Sequence, residues 1–318
     1  MKIHELVDDL YEGFVDRIGA PLSASARDLP RVLRLAPVAR PWSQVFEHEI
    51  TLGAPALFAE PMMGVPSALT RDAMLAHLLA VIDSFATARI EDERIDASPH
   101  VFAVLGQARR ERDRAMLRLF SRTPLGDTDF RAADAMTIRA VRRERAMLQS
   151  TYPVDFDLYE KTLVDKRCSG VLASAALGRI AGLGARRCRA VRATLESISL
   201  SLQIYDDVVD WETDRDRGGA WAMCLMRGTR PPPSSGKHAT RGASARSEVL
   251  ASGILEAMLL RARMHMRSAR RRAWALRAER LASWARVQEA LLDALVVAEA
   301  DSAGFAVRAR ARSGFGST

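Results

Sequence analysis

The sequence predicts an all-α fold, and three observations carry that expectation. Apolar residues recur at spacings of three and four along nearly the whole chain, the period of a helix with one buried face. Helix start and stop signals stand at the edges of such stretches, with Gly19 after the first and Thr70 and Ser98-Pro99 ahead of later ones. No two alternating apolar runs are joined by an Asn-Gly or Asp-Gly turn, so no hairpin is predicted.

In chain order, Ile3, Leu6, Val7, Leu10, Tyr11, Phe14, Val15 and Ile18 form one stripe that Gly19 can end. Seven prolines between Pro21 and Pro66 restrict that region to short helices. Thr70 can cap a long helix running through Met74, Leu78 and Ile82 to Ile90. Ser98-Pro99 reads as a cap followed by proline at the first helical position, and the pattern then continues to Phe120. Further helices are predicted near 129–150, 156–182, 185–215, 247–275 and 278–300. Residues 229–247 (TRPPPSSGKHATRGASARS) have no apolar period and read as a mobile loop that closes at times over a site mouth. Residues 304–318 read as a flexible tail, and 1–318 as one domain.

With 318 residues, 48% hydrophobic and 27% charged, the chain can build a deep core, which excludes disorder and collagen-like architecture for its bulk. No apolar run approaches the ~18 residues of a bilayer span. The opening Met-Lys-Ile-His-Glu lacks the pattern of a secretory signal. Three cysteines (Cys168, Cys188, Cys224) make no disulfide framework, so a reducing, cytoplasmic setting is expected. The net charge of +8 raises the question of nucleic acid. Only four basic residues are lysine, aromatics are 6%, and no nucleic-acid-binding signature is present; nucleic acid is not expected as a partner.

Chemistry concentrates in Leu200-Ser-Leu-Gln-Ile-Tyr-Asp-Asp-Val-Val-Asp-Trp-Glu-Thr-Asp-Arg-Asp-Arg-Gly. On a helix, Asp206, Asp210 and Asp214 span an arc of about 80°, with Gln203 inside it and Asp207 near its edge. Like charges at i,i+4 destabilise a helix by roughly 0.2–0.5 kcal/mol per pair. The apolar lead-in (Ile198, Leu200, Leu202, Ile204) implies burial, where repulsion grows. A cation should therefore compensate. Mg²⁺ suits the spacing, because it is held by one or two carboxylates plus substrate phosphate oxygens. A second cluster, Asp92-Glu93-Arg94-Ile95-Asp96, repeats the D-x-x-x-D spacing at the end of the long helix from Thr70. A solvated acidic face explains either cluster taken alone; the pair in one all-α chain is harder to dismiss.

On these residues the chain resembles the polyprenyl synthetase family of class I isoprenoid enzymes and, through its fold, the class I terpene synthases. Gln203-Ile-Tyr-Asp-Asp-Val-Val-Asp is similar to that family's second aspartate-rich motif, and Asp92-Glu-Arg-Ile-Asp stands where the first belongs. Tyr159-Glu-Lys-Thr-Leu-Val-Asp-Lys-Arg resembles the family's Tyr…Lys-Thr segment, with Lys166 in the place of the diphosphate-binding lysine and Arg167 in that of the threonine. The likeness covers roughly residues 70–220. It implies a helical bundle with a central cavity, the acidic motifs facing each other, and Mg²⁺, typically three ions, bridging them to an allylic prenyl diphosphate. Asp92, Glu93, Asp96, Asp206, Asp207, Asp210 and Asp214 are then candidate metal ligands, with Asp92, Asp206 and Asp210 foremost in catalysis. Lys166, Gln203, Arg215 and Arg217 are candidate diphosphate contacts. A homodimer is implied by analogy alone.

Chain-elongating members carry Gly-Lys-Arg before the first motif and Arg-Arg-Gly after it; here Ala-Ser-Pro-His-Val-Phe follows Asp96. The site for a second diphosphate is thus degraded while that for ionisation is kept. A terpene synthase acting on one C15 or C20 prenyl diphosphate is the first expectation. A prenyltransferase using isopentenyl diphosphate is the second, and a non-catalytic partner subunit or prenyl diphosphate-binding protein the third.

Other residues carry less. The six histidines form no ligand cluster, and Cys168 and Cys188 read as small core residues. Trp211 reads as core, though its ring could face a cation, and Tyr205 is equally ambiguous. Eight arginines between 261 and 280 read as a solvated face, with weak contact to an anionic membrane surface as the functional alternative.

Overall fold

The computed structural model describes residues 2–46, 48–62, 65–92, 95–122, 128–150, 153–166, 168–229 and 245–300. Among them every regular element is helical, as the apolar period requires. Helix α1 (Ile3–Ile18) buries the stripe from Ile3 to Val15 and ends at Gly19, which has φ +64°. Short helices α2 (Leu22–Arg27) and α3 (Leu29–Val32) and a 3₁₀ turn (Trp42–Gln44) follow, as the prolines dictate.

Helix α4 (Glu49–Ala59) departs from that rule by keeping Pro55 inside it. Pro55 cannot donate to the Thr51 carbonyl four residues back. Buried His77 takes up that carbonyl through Nε2 at 2.9 Å. Helix α5 (Ser67–Asp92) begins before Thr70, because the Pro66 carbonyl already accepts from Leu69 and Thr70 N–H. Ser98 caps α6 (Pro99–Phe120), accepting from Val101 N–H.

The remaining helices are α7 (Thr128–Gln149), α8 (Phe156–Lys166), α9 (Cys168–Ile180), α10 (Ala185–Val209), α11 (Trp211–Arg217), α12 (Trp221–Thr229), α13 (Ala245–Ala251), α14 (Ile254–Ala275) and α15 (Glu279–Ala300). Three long helices read from the sequence are therefore each divided in two. The span 156–182 breaks between α8 and α9, 185–215 breaks at Asp210, and 247–275 breaks at Gly253, which adopts φ +70°. The break at Asp210 falls where four aspartates crowd two turns, a repulsion that helices tolerate poorly. Helix α12 follows the Gly218-Gly219 turn and was not anticipated. The 229–247 loop lies almost wholly outside the described residues, and its last residues belong to α13; the 304–318 tail lies outside them entirely.

Helix α9 is the centre of the bundle. Residues 171–178 (VLASAALG) are all buried, and the helix packs against α4, α5, α7 and α10; an all-round apolar surface suits such a position. Two cores stack along the bundle. The first joins α1 to α6 with α9, and the second joins α8, α12 and the start of α14. Helices α10 and α14 cross both, with Leu195 and Ile198 in the first core and Ile204 and Val208 in the second.

The arginine-rich stretch 261–280 is a solvated face only in part: Arg271, Arg277 and Arg280 are exposed, and the other five arginines are half-buried. Arg267 and Arg270 both hold buried Glu289 of α15 at 2.6 and 2.8 Å. Arg263 holds Asp293, Arg261 holds Glu160, Arg280 holds Glu49, and Arg272 donates to Ser197. These arginines clamp α14 and α15 to their neighbours. No described helix is long and apolar enough to cross a membrane.

Candidate functional site

The second acidic motif closes α10, and its expected single face divides. Asp206 and Asp210 are exposed, whereas Asp207 is buried. Asp210 sits at the bend with φ −99° and ψ 7°, the sparsely populated bridge region in which active-site residues recur. Asp214 is half-buried on α11. Trp211 is fully buried in the second core, with the Arg215 guanidinium 5.7 Å from its ring centroid. Arg215 also donates to Asp216, at 2.9 and 2.7 Å.

Both oxygens of Asp207 are engaged. Tyr159 of α8 donates its hydroxyl at 2.5 Å and the Gln203 amide donates at 2.8 Å. Burial raises the Asp207 pKa to about 6; the two hydrogen bonds pull it down, Glu144 adds to the rise and Lys166 opposes it. Burial and the Asp207 charge push Tyr159 well above its ordinary value, so it stays a donor.

Lys166, the last residue of α8, holds buried Glu144 of α7 at 2.6 Å. Trp221 of α12 donates to the other Glu144 oxygen at 3.3 Å, and its ring lies 4.8 Å from that of Tyr159. Next to Glu144, Arg143 donates to Thr162 at 3.1 Å and Asp165 at 2.8 Å. Two adjacent residues of α7 thus tie down the end of α8. Neither Glu144 nor Trp221 stood out in the sequence, because an acid among Arg142, Arg143 and Arg145 looks like ordinary surface charge.

Helix α5, which leads into the first acidic motif, brings Arg89 near the second. Asp92 closes that helix, but its side chain and Glu93 lie outside the described residues, and Asp96 is exposed beyond the helix end. Arg89, one turn earlier, lies within electrostatic reach of α10 and α11. Partial burial and repulsion from Arg217 lower its pKa, while Asp210 opposes that. The reciprocal effect is felt at Asp210, where desolvation raises the pKa and Arg217 and Arg89 pull it back. Arg89 was missed for the same reason as Glu144.

Among the described residues no group of three or more His, Cys, Asp or Glu side chains is gathered to hold a metal ion. Asp206 and Asp210 still fit a hard cation: they are exposed carboxylates one turn apart, enough for an ion that fills its other positions with water and phosphate. Asp207 does not fit, since its oxygens already accept from Tyr159 and Gln203. A surface cleft of about 290 Å³ lies between α1, α5 and α6, lined by paired charges including Arg71 with Asp9 and Arg118 with Asp72. Asp72 is about 25 Å along α5 from Arg89, so this cleft is separate from the acidic motifs.

Comparison with known proteins identifies no relative: no family model, no curated protein and no solved structure matches the chain.

Proposed function

We propose that the protein is a Mg²⁺-dependent class I terpene synthase of isoprenoid-synthase-like fold, ionising a single allylic prenyl diphosphate of C15 or C20 length. The observation that supports this reading is the approach of Arg89, near the end of α5, to Asp210 of the second acidic motif. Asp210, at the end of α10, shares its electrostatic surroundings with Arg89 at the end of α5 and with Arg217, although 121 residues separate Asp210 from Arg89. Exposed carboxylates beside guanidiniums are what a metal–diphosphate pair requires, because the carboxylates take the cation and the arginines take phosphate oxygens bidentately.

In this reading Asp206 and Asp210 would hold Mg²⁺, together with Asp92, Glu93 and Asp96 of the first motif. When bound, Mg²⁺ neutralises the departing diphosphate and so weakens the allylic C–O bond. Lys166, Arg217 and Arg89 orient the diphosphate and receive its charge. Asp207 braces α10 against α8 and keeps its neighbour Asp206 on the exposed side. The apolar residues around the second core would exclude water from the allylic cation, leaving intramolecular capture.

The binding-only alternative draws on one observation, the Lys166–Glu144 pair, in which the lysine already has a counter-ion. Incubation with C10, C15 and C20 prenyl diphosphates and Mg²⁺, each with and without isopentenyl diphosphate, separates the readings by gas chromatography and mass spectrometry. A hydrocarbon or alcohol formed without isopentenyl diphosphate supports the cyclase. Longer diphosphates formed only with it assign chain elongation, and binding without product assigns the carrier.

A further inference from the structure

We infer that Glu144 is the residue that positions Lys166 for diphosphate. This rests on the diphosphate reading of the site and adds a residue that neither acidic motif contains. A lysine ammonium is a compact charge on a flexible four-carbon stem, and holding it in one place costs rotamer entropy. It acts on a phosphate with defined geometry only where a second group fixes it, as a glutamate does for the phosphate-binding lysine of protein kinases.

Glu144 has the properties of such a group. It is buried, with a side chain 11% exposed, against 27% for the half-buried Lys166 it holds. One carboxylate oxygen takes Lys166 at 2.6 Å, and the other is fixed by Trp221 at 3.3 Å. The glutamate therefore cannot follow the lysine outward. Arg143, the preceding residue, holds the Asp165 and Thr162 side chains, so the helix end bearing Lys166 is anchored to α7 at more than one point. An ammonium carries three hydrogens. The ion pair engages the ammonium from the Glu144 side, and a phosphate would approach from the other. From Nζ the contacts run through Glu144, Trp221 and Tyr159 to Asp207, the neighbour of the exposed Asp206. Lysine and metal-facing carboxylate thus share one set of supports.

The test is calorimetric titration of the full chain with inorganic diphosphate in Mg²⁺, comparing wild type, Glu144→Gln, Lys166→Met and the double variant. Glutamine keeps the shape and can still accept from Trp221, but it loses the charge that holds the ammonium. Glu144→Gln is expected to weaken diphosphate at least tenfold, Lys166→Met by a similar factor, and the double variant no more than Lys166→Met alone. Losses that multiply in the double variant, or a Glu144→Gln protein that binds as well as wild type or better, would overturn the inference. Thermal unfolding monitors each variant. If Glu144→Gln does not fold, Trp221→Phe, which frees one Glu144 oxygen without changing charge, must weaken diphosphate in wild type and leave Lys166→Met unaffected, and any other pattern refutes the role. A wild type that converts prenyl diphosphates while Lys166→Met binds diphosphate normally sinks this inference and spares the enzyme. A wild type that binds no diphosphate sinks both.

Discussion

Tyr159 and Asp207 form a buried hydrogen bond of 2.5 Å between helices α8 and α10, with the phenol as donor. It joins the segment resembling the Tyr…Lys-Thr motif to the segment resembling the second aspartate-rich motif. One carboxylate of that motif thereby becomes a structural part of the bundle. Asp206 and Asp210 of the same motif are exposed.

Asp207 should make stability depend on pH. Its folded pKa, about 6, lies above the ordinary 3.8, so the folded protein holds this proton more tightly than the unfolded chain does. That contribution is complete below about pH 4 and is lost as pH rises through 6. Two units correspond to about 3 kcal/mol. Relative to wild type in metal-free buffer, Asp207→Asn should become progressively more stable between pH 4 and pH 7, read by urea unfolding. A difference that is flat with pH would refute the assignment.

Tyr159→Phe removes the donor and leaves a buried carboxylate oxygen without a partner. The expected loss is about 1–3 kcal/mol, with an unchanged denaturant slope because the fold persists. The same substitution should move the Asp207 titration upward, since the Tyr159 hydrogen bond now lowers it.

Glu289 titrates in the opposite sense. Burial alone would raise its pKa, but hydrogen bonds from Arg267 and Arg270 outweigh this and hold it below the ordinary 4.5. Its stabilisation is present above that value and disappears as pH falls. Glu289→Gln should destabilise by about 1–3 kcal/mol at pH 7, and the difference should shrink as pH falls below 4.5 and protonation of the folded carboxylate removes its charge.

Gly228 lies where α12 passes the Val154 backbone. A Cβ there would stand 2.1 Å from the Val154 carbonyl oxygen, and that oxygen cannot rotate away. Gly228→Ala should cost about 1–3 kcal/mol by overpacking and loosen the seat of Trp221 against Glu144. Gly13→Ala in α1, where the nearest neighbour of a Cβ is the end of the long Arg17 side chain at 3.5 Å, should be neutral or stabilising and serves as the control.

Helical period and capping made the all-α architecture, α1, α6 and the approximate position of α5 legible in the sequence. These signals are local: the Ser98 hydroxyl accepts from Val101 N–H three residues on. What the sequence concealed depends on partners distant along the chain. Pro55 stays in a helix because His77 takes the orphaned Thr51 carbonyl, and Arg263, Arg267 and Arg270 of α14 enter ion pairs with Asp293 and Glu289 of α15. In the candidate site, spacing placed Asp206 and Asp210 together one turn apart. It could not separate Asp207 from them, because that depends on Tyr159 lying opposite. Glu144 and Arg89 carried no local signal, since each acquires its meaning only from the helix packed against it.

The most direct measurement of the central claim is inorganic diphosphate released from C15 or C20 prenyl diphosphate with Mg²⁺ and no second substrate, for wild type and Asp206→Ala. Asp206 is exposed, so its substitution should change stability by no more than about 0.5 kcal/mol. Steady release by wild type, falling at least a hundredfold in a folded Asp206→Ala protein and abolished by metal chelation, is the expected result. No release by wild type with either chain length, or equal release by the variant, would contradict the proposed function.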